Sequence, residues 1–490
     1  MTTAELKNLI DYVQSLKAET QTLELKSAVQ GCPARLYDTL SSFSNQDEGG
    51  ILLFGVDEQQ GFLPVGVYDA QDLMKHVTEQ CGQMTPIIRP IFTTLLKDGK
   101  AFVSAEIPGI DAADRPCFYA GKGRLKGSYV RVGDADQPMT EYEIYSYEAF
   151  RRKYQDDVRP VAQASRNTLN KGRMEEYLIR LKAGRPNLSR LDTEEIYELA
   201  GLTREGVPTL AAVLLFGLFP QGYFPQLCVT AVSVPGTEVG QLGPEGERFL
   251  DNRRIEGTLT EMLEDALAFV RKNIRIKTII DPETGRRADR EDYPLTAVRE
   301  AILNALIHRD YSLHTEGMPI QLLLFEDRLE IRSPGGLYGR LRIDQLGKVQ
   351  PDTRNPVLAV AMEVLGETEN RYSGIPTIRR ELERAGMAEP EFRDERGTFV
   401  VCFRKKPPTY QPQNTKNAAG KNDKSTEEKL LNFCMTPRTR REIASFLDIK
   451  SVPYAVKAHV VPLVEQGLIA LSIPEAPRSP RQRYTTKRFE

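Results

Sequence analysis

Apolar and polar positions along the chain divide it into stretches with different periods. In residues 1–155, short runs rich in β-formers and bounded by Gly, Pro or Asp alternate with helical stretches. Gly50-Ile51-Leu52-Leu53-Phe54-Gly55-Val56, residues 101–107 and Gly127-Ser128-Tyr129-Val130-Arg131-Val132 read as strands of a compact α/β unit. Helices are expected over 174–182 and 193–200, a buried run over 210–219 ended by Pro220, and a strand over 226–234. From Leu295, the residues Val298, Ile302, Leu303, Leu306 and Ile307 recur at helical spacing, and strands follow at 320–325 and 328–331. Residues 405–426 hold hardly an apolar side chain, so they cannot bury enough surface to offset their ordering and read as a linker. Helices over 427–434, 440–447 and 454–466, a strand over 468–473 and a Pro/Arg-rich tail then give the layout of a winged helix-turn-helix. No repeat of period 20–50 is present, which argues against a solenoid.

Composition refines this picture without changing its class. At ~150 residues per domain, the 490 residues call for about three domains, and the pattern divides them at 1–155, 156–290, 291–404, 405–426 and 427–490. Hydrophobic residues make up 40% and charged residues 27%, an ordinary balance for an α/β (α+β) multidomain protein. The longest apolar run falls short of the ~20 residues of a membrane span, and the start lacks a secretory pattern. A soluble cytoplasmic protein with no membrane partner is the expectation. The cysteines at 32, 81, 117, 228, 402 and 434 are scattered without metal spacing and read as core thiols in a reducing compartment. With 66 basic and 68 acidic side chains the net charge is −2, so contact with nucleic acid must come from local patches.

In the first unit, Glu19-Thr20-Gln21-Thr22-Leu23-Glu24-Leu25-Lys26 precedes a helix leading to Phe43-Ser44-Asn45, then Gly49-Gly50, a strand, and Gly55-Val56-Asp57. This arrangement resembles the AlbA-type nucleic-acid-binding domain of the Schlafen superfamily over roughly residues 15–150. The resemblance implies that Glu19, Glu24 and Asp57 match the three carboxylates with which nuclease members hold divalent metal, Mg²⁺ or Mn²⁺. Oxygen ligands suit those ions, and a metal beside a scissile phosphate stabilises developing charge. Read from the residues alone, Glu24 can equally pair with Lys26 or Arg131, Glu19 cap a helix and Asp57 open a turn. Lys122, Arg124, Lys126 and Arg131, interleaved with Tyr119 and Tyr129, read as a β-hairpin able to hold a nucleic-acid backbone or, alternatively, as a solvated hairpin.

The run from Tyr293 to Tyr311 is the most distinctive stretch. On a helix, Glu300 and Asn304 point from one face and can act on one ligand. The run resembles the N-box of the GHKL (histidine-kinase, gyrase and Hsp90-like) ATPases, with Gly335 and Gly336 in the place of a Gly-rich box and Gly374 in a second one. That resemblance implies ATP, with Glu300 orienting water and Asn304 ligating Mg²⁺. Ser333-Pro334 stands where the family has its adenine-reading Asp, and Asn370-Arg371-Tyr372-Ser373-Gly374 replaces its Gly-x-Gly lid. Residues 205–403 also resemble a RecG-like transcriptional regulator family, in which these pieces follow an AlbA-type domain. From the residues alone, Glu300, Asn304, His308, Arg309 and Asp310 can instead form a buried polar network, with His308 a hydrogen-bonded core residue. Walker-A, HExxH and G-x-S-x-G motifs are absent.

At the far end, Arg440 and Arg441 open a helix, Lys457 stands on the expected recognition helix, and Arg481 and Arg483 lie in or beside the wing. Such cations read phosphates, although the same fold also docks proteins. The expected function is a nucleic-acid-binding, homo-oligomeric regulator contacting DNA or RNA. The alternative is a divalent-metal-dependent endoribonuclease acting on tRNA or other structured RNA.

Overall fold

The computed structural model describes all residues except 281–286, 369–372, 406–429, 432, 437, 448–455, 466–467, 473–481 and 487–490. Two compact units are present, Met1–Pro408 and Thr409–Glu490. The expected linker therefore lies almost wholly outside the described residues.

The front part of the first unit is built on a four-stranded sheet. Its order is Leu23–Lys26, Gly50–Phe54, Lys100–Ile107, Ile91–Lys97, the first pair parallel and the others antiparallel. Alternation along the strands sends Leu52, Phe54, Val103 and Ala105 to one core, with Leu40 and Phe43, while Leu53 and Phe102 go to another beneath Leu6, Ile10 and Val13. The strand Ile91–Lys97 extends the sheet beyond the sequence expectation. Asp98-Gly99, both at positive φ, turns it directly into Lys100–Ile107. Gly50 is required by packing, since a Cβ there would lie 2.4 Å from the Phe43 ring. Asn45 closes the motif: its Nδ2 donates to Cys117 O and Tyr129 O, and its Oδ1 accepts from Cys117 N.

Residues 156–290 and 291–404 do not fold separately. The strands Val229–Ser233 and Asp251–Ile255 belong to the same six-stranded sheet as Ile320–Leu324, Arg328–Pro334, Thr398–Arg404 and Glu391–Asp394. One hydrophobic core runs from Val161 to Phe403. The expected boundary at 290/291 thus falls inside one sheet and one core. The helix Leu295–His308 packs on Leu259–Asn273, Gly374–Arg384 and the strand Arg328–Pro334. The run expected to be buried at 210–219 is a helix, Leu210–Phe216, every residue of which is buried.

Polar staples fix the ends of the central helix. Asn355, fully buried, donates from Nδ2 to Ile307 O and Arg309 O at 2.8 Å each, satisfying carbonyls that a helix end leaves open. Arg309 donates to Thr315 O and Met318 O and so folds the following loop. Asp157, also fully buried, accepts from Val357 N and Leu358 N, capping the helix Pro356–Leu365 across 200 residues of chain. Burial pushes its carboxyl up to about 6.

The second unit holds the helix Arg440–Phe446, helical residues Val456–Val460 and Val461–Glu465, and an antiparallel sheet ordered Arg438–Thr439, Arg483–Thr486, Ile469–Leu471. Leu430, Cys434, Ile443, Leu463, Ile469 and Tyr484 form its core. Five of the six cysteines are buried and all are free thiols. Among the described residues, no helix is long and apolar enough to cross a membrane.

Replacing Asn355 with Ala strands two buried carbonyls, and at ~1–3 kcal/mol for each unsatisfied group the loss should be about 2–6 kcal/mol. Urea unfolding followed by far-UV circular dichroism measures it; an unchanged midpoint would show that the staple is dispensable.

Candidate functional site

The carboxylates of the front module surround an arginine. Arg131 sits on the strand Tyr129–Val132, is 3% exposed, and places Nη2 2.8 Å from Glu24 Oε2 and 3.8 Å from Glu19 Oε2. Its Nη1 lies 3.0 Å from Asp136 Oδ1, and its guanidinium stands 5.2 Å from the centre of the Phe43 ring. Asp136 is fixed in turn by Thr39 Oγ1 and Ser42 Oγ. Glu24 also pairs with Lys26. Glu19 Oε1 accepts the Leu25 N–H at 2.7 Å, bonding to a strand instead of capping a helix. Burial above all, with Glu24 beside it, pushes Glu19 up to about 7 against the opposing pull of the Leu25 N–H and Lys26. Asp57 accepts from Gln59 N, Gln60 N and Gln60 Nε2 and opens a turn.

This geometry does not fit the expected Mg²⁺ or Mn²⁺ site. The positive charge between Glu19 and Glu24 is a guanidinium, and Asp57 is engaged in its own turn. Among the described residues, no three His, Cys, Asp or Glu side chains form a group that could hold a metal ion. Arg131 must also be removed from the expected nucleic-acid-binding set, because its charge is buried and neutralised from within. The cations Lys122, Arg124 and Lys126 lie on or beside the short helix Gly123–Gly127; the expected hairpin is formed further on, by Tyr129–Val132 with Ala135–Pro138. Lys122 and Lys126 are exposed, and Arg124 stands 3.5 Å from Glu148. Nearby, Tyr37 and Tyr119 stack with ring centres 3.8 Å apart, each half-buried. That surface combines cations with an aromatic step.

In the central module, Glu300, Asn304, Gly335, Gly336 and Gly374 line one cleft. The helix Leu295–His308 presents Glu300 and Asn304 from one face, and Asn304 Nδ2 donates to Glu300 Oε1 at 3.3 Å. Gly374 opens the helix Gly374–Arg384 so close to this pair that a Cβ would stand 2.4 Å from Glu300 Oε1. Asn370, Arg371 and Tyr372 lie outside the described residues. Ser333 Oγ donates to Ala305 O, so the residue in the adenine-reading place is spent on the helix. His308 corrects its expectation, for its side chain opens to solvent in the cleft instead of bonding in the core. Arg309 and Asp310 find their partners in the loop beyond and in Tyr142, so the five-residue network also dissolves into separate staples.

Sequence reasoning missed Arg354 and Asn355. Their signal was an Asn before Pro356, a pattern that marks a turn into a helix. Arg354 is 5% exposed, lines the cleft, and leaves Nη1 without a hydrogen bond. This orphaned donor, the glycine walls and a helix N-terminus fit a phosphate-bearing ligand. In the second unit, Arg440 Nε donates to the Tyr484 hydroxyl, Arg441 and Arg483 are exposed, and Arg481 and the side chain of Lys457 lie outside the described residues.

Three family models match parts of the chain. Residues 19–140 match "Schlafen, AlbA_2", residues 317–403 match "Putative ATP-dependent DNA helicase recG C-terminal", and residues 428–486 match "Filamentation induced by cAMP protein Fic-like, C-terminal domain". Among solved structures, the DIP2311 protein of Corynebacterium diphtheriae is 17% identical, with 93% of this chain and 92% of that one covered and a TM-score of 0.40. The N-terminal domain of a putative ATP-dependent DNA helicase RecG-related protein from Nitrosomonas europaea is 25% identical, covering 28% of this chain and 93% of that one at a TM-score of 0.23. No curated protein matches the sequence.

Glu19 sets a pH dependence. Its folded value of about 7 lies above the ordinary 4.5, so the folded state holds an extra proton between these values. That contribution to stability is complete below about pH 4.5 and lost as pH rises through about 7. Glu19→Gln keeps an acceptor for Leu25 N–H and removes the titration. Unfolding free energies from denaturant titrations should fall by on the order of 1–3 kcal/mol from pH 5 to 8 in the wild type and stay flatter in the variant; parallel curves would show that Glu19 titrates normally.

Proposed function

We propose that this chain, with its Schlafen AlbA_2 and recG C-terminal-type domains, is a nucleic-acid-binding regulator whose central cleft takes a nucleotide. The observation that carries the binding reading over the nuclease one is Arg131, the internal cation standing between Glu19 and Glu24. A front module so neutralised has charge and aromatic surface for holding a polyanion, and no assembled carboxylate site for cutting one. Lys122, Arg124 and Lys126 supply phosphate contacts, while the Tyr37–Tyr119 stack offers a face to an unpaired base. The second unit is read as a winged helix in which Arg440, Arg441 and Arg483 approach a phosphate backbone. Homo-oligomerisation belongs to the same reading, since paired modules match paired half-sites.

In the cleft, Asn304 and Glu300 would face the phosphates and any accompanying Mg²⁺, with Gly335, Gly336 and Gly374 allowing close backbone approach. Bound there, ATP would supply a phosphate chain whose charge the cleft recognises. The residues of this chain would bind and orient it: Asn304 is held by Glu300, and the helix Gly374–Arg384 begins at the wall of the same cleft.

Two measurements test these roles. Replacing Lys122, Arg124 and Lys126 together with Ala should weaken binding of single-stranded DNA or RNA roughly ten- to hundredfold near 0.1 M salt and flatten the salt slope by about two to three units. RNA cleavage with Mn²⁺ or Mg²⁺ that disappears in Glu24→Ala while binding persists would replace this reading with the nuclease. In calorimetry, Asn304→Ala should abolish ATP-Mg²⁺ binding; a flat wild-type titration would dispose of the nucleotide cleft.

A further inference from the structure

A buried cation on the wall of the cleft stands between two modules. Arg354 Nη2 donates a long 3.4 Å bond to Gly336 O, and its guanidinium lies 5.0 Å from the centre of the Tyr338 ring. Nη1, without a hydrogen bond, has Asp310 Oδ2 at 3.6 Å, and that oxygen already accepts a 2.6 Å bond from the Tyr142 hydroxyl. Gly335, at φ +98°, leaves the space beside Nη1 clear, for a Cβ there would come within 2.2 Å of it. A buried guanidinium N–H with no acceptor is costly unless something supplies one. A phosphate oxygen is the acceptor that a guanidinium takes best.

Tyr142 does not belong to the cleft. It stands on the helix Glu141–Arg152, which follows the last hairpin of the front module. The same helix sets Phe150 edge-on to Tyr338, with ring centres 5.4 Å apart. Two residues on, Arg340 forks onto Asp111 of the front module at 2.9 and 3.1 Å. The segment that begins with Gly335 and Gly336 therefore lines the cleft and is also clasped by the front module.

We propose that Arg354 is the anion-reading residue of the cleft: its Nη1 takes a phosphate oxygen of a bound nucleotide, and Asp310 and Tyr142 carry occupancy to the front module. This rests on the reading of the cleft as a nucleotide site. A phosphate that engages Arg354 competes with Asp310 for its charge, and Asp310 then leans more on Tyr142. By linkage, whatever positions the front module's helix also changes affinity in the cleft.

The test uses the full chain with ATP and adenosine, each with Mg²⁺, in calorimetry. Arg354→Gln should bind ATP at least tenfold more weakly while adenosine affinity changes less than threefold. Equal losses for both ligands, or no loss for either, would overturn the assignment and leave the cleft reading standing. A wild type that binds neither ligand removes both. Since Arg354→Gln could fail to fold, Tyr142→Phe provides a second arm. In the wild type, ATP should slow hydrogen exchange across Glu141–Arg152 at least threefold, and in Tyr142→Phe saturated with ATP this protection should vanish. Protection that survives in Tyr142→Phe, or never arises in a wild type that binds ATP, refutes the link.

Discussion

A guanidinium taken out of water must be answered by charge and hydrogen-bond acceptors drawn from the protein, and this constraint organises the front and central modules alike. Around Arg131 it gathers Glu24, Asp136 and, further off, Glu19, binding the first strand to the late hairpin. Around Arg309 it gathers carbonyls of the following loop. Arg354 is the incomplete case, answered by one long bond and a distant carboxylate. The cations answered by carboxylates or carbonyls hold the fold, and Arg354, with Nη1 lacking a hydrogen bond, lines the cleft.

The same constraint explains why a motif can be formally intact and chemically different. Glu19 and Glu24 stand at the expected spacing, yet spacing says nothing of what enters between them. From the sequence Arg131 reads either as a surface cation among Lys122, Arg124 and Lys126 or as a partner of Glu24, and the structure gives the second. Strand alternation sends it inward while Lys122 and Lys126 remain on the surface.

Much of the fold was legible where a single face is buried or both are. The run 50–56 and the helix around Val298 to Ile307 announced themselves through unbroken or periodic apolar residues. Asp251–Ile255 did not, since Asn252, Arg253 and Arg254 are exposed on a sheet edge and charge there serves to discourage further pairing. Ile91–Lys97 carried a usable signal in its Asp-Gly turn that the apolar pattern alone overlooks. In the cleft, Glu300, Asn304 and the glycines could be read from one helix and its neighbours. Arg354 could not, because its place beside Gly335 depends on how the intervening loop closes.

Asp157 carries a consequence for how such a protein can be rearranged. It follows directly on the front module and yet seats the helix Pro356–Leu365 deep in the central one. A recombination event that cut the chain between Asp157 and Pro356 would part this aspartate from the helix and leave the Val357 and Leu358 N–H groups without their carboxylate. The Tyr142–Asp310 and Arg340–Asp111 contacts tie the front module to the central one in the same way, so these two are expected to travel through evolution as a pair, whereas the polar stretch before the last unit offers a joint where replacement is cheap.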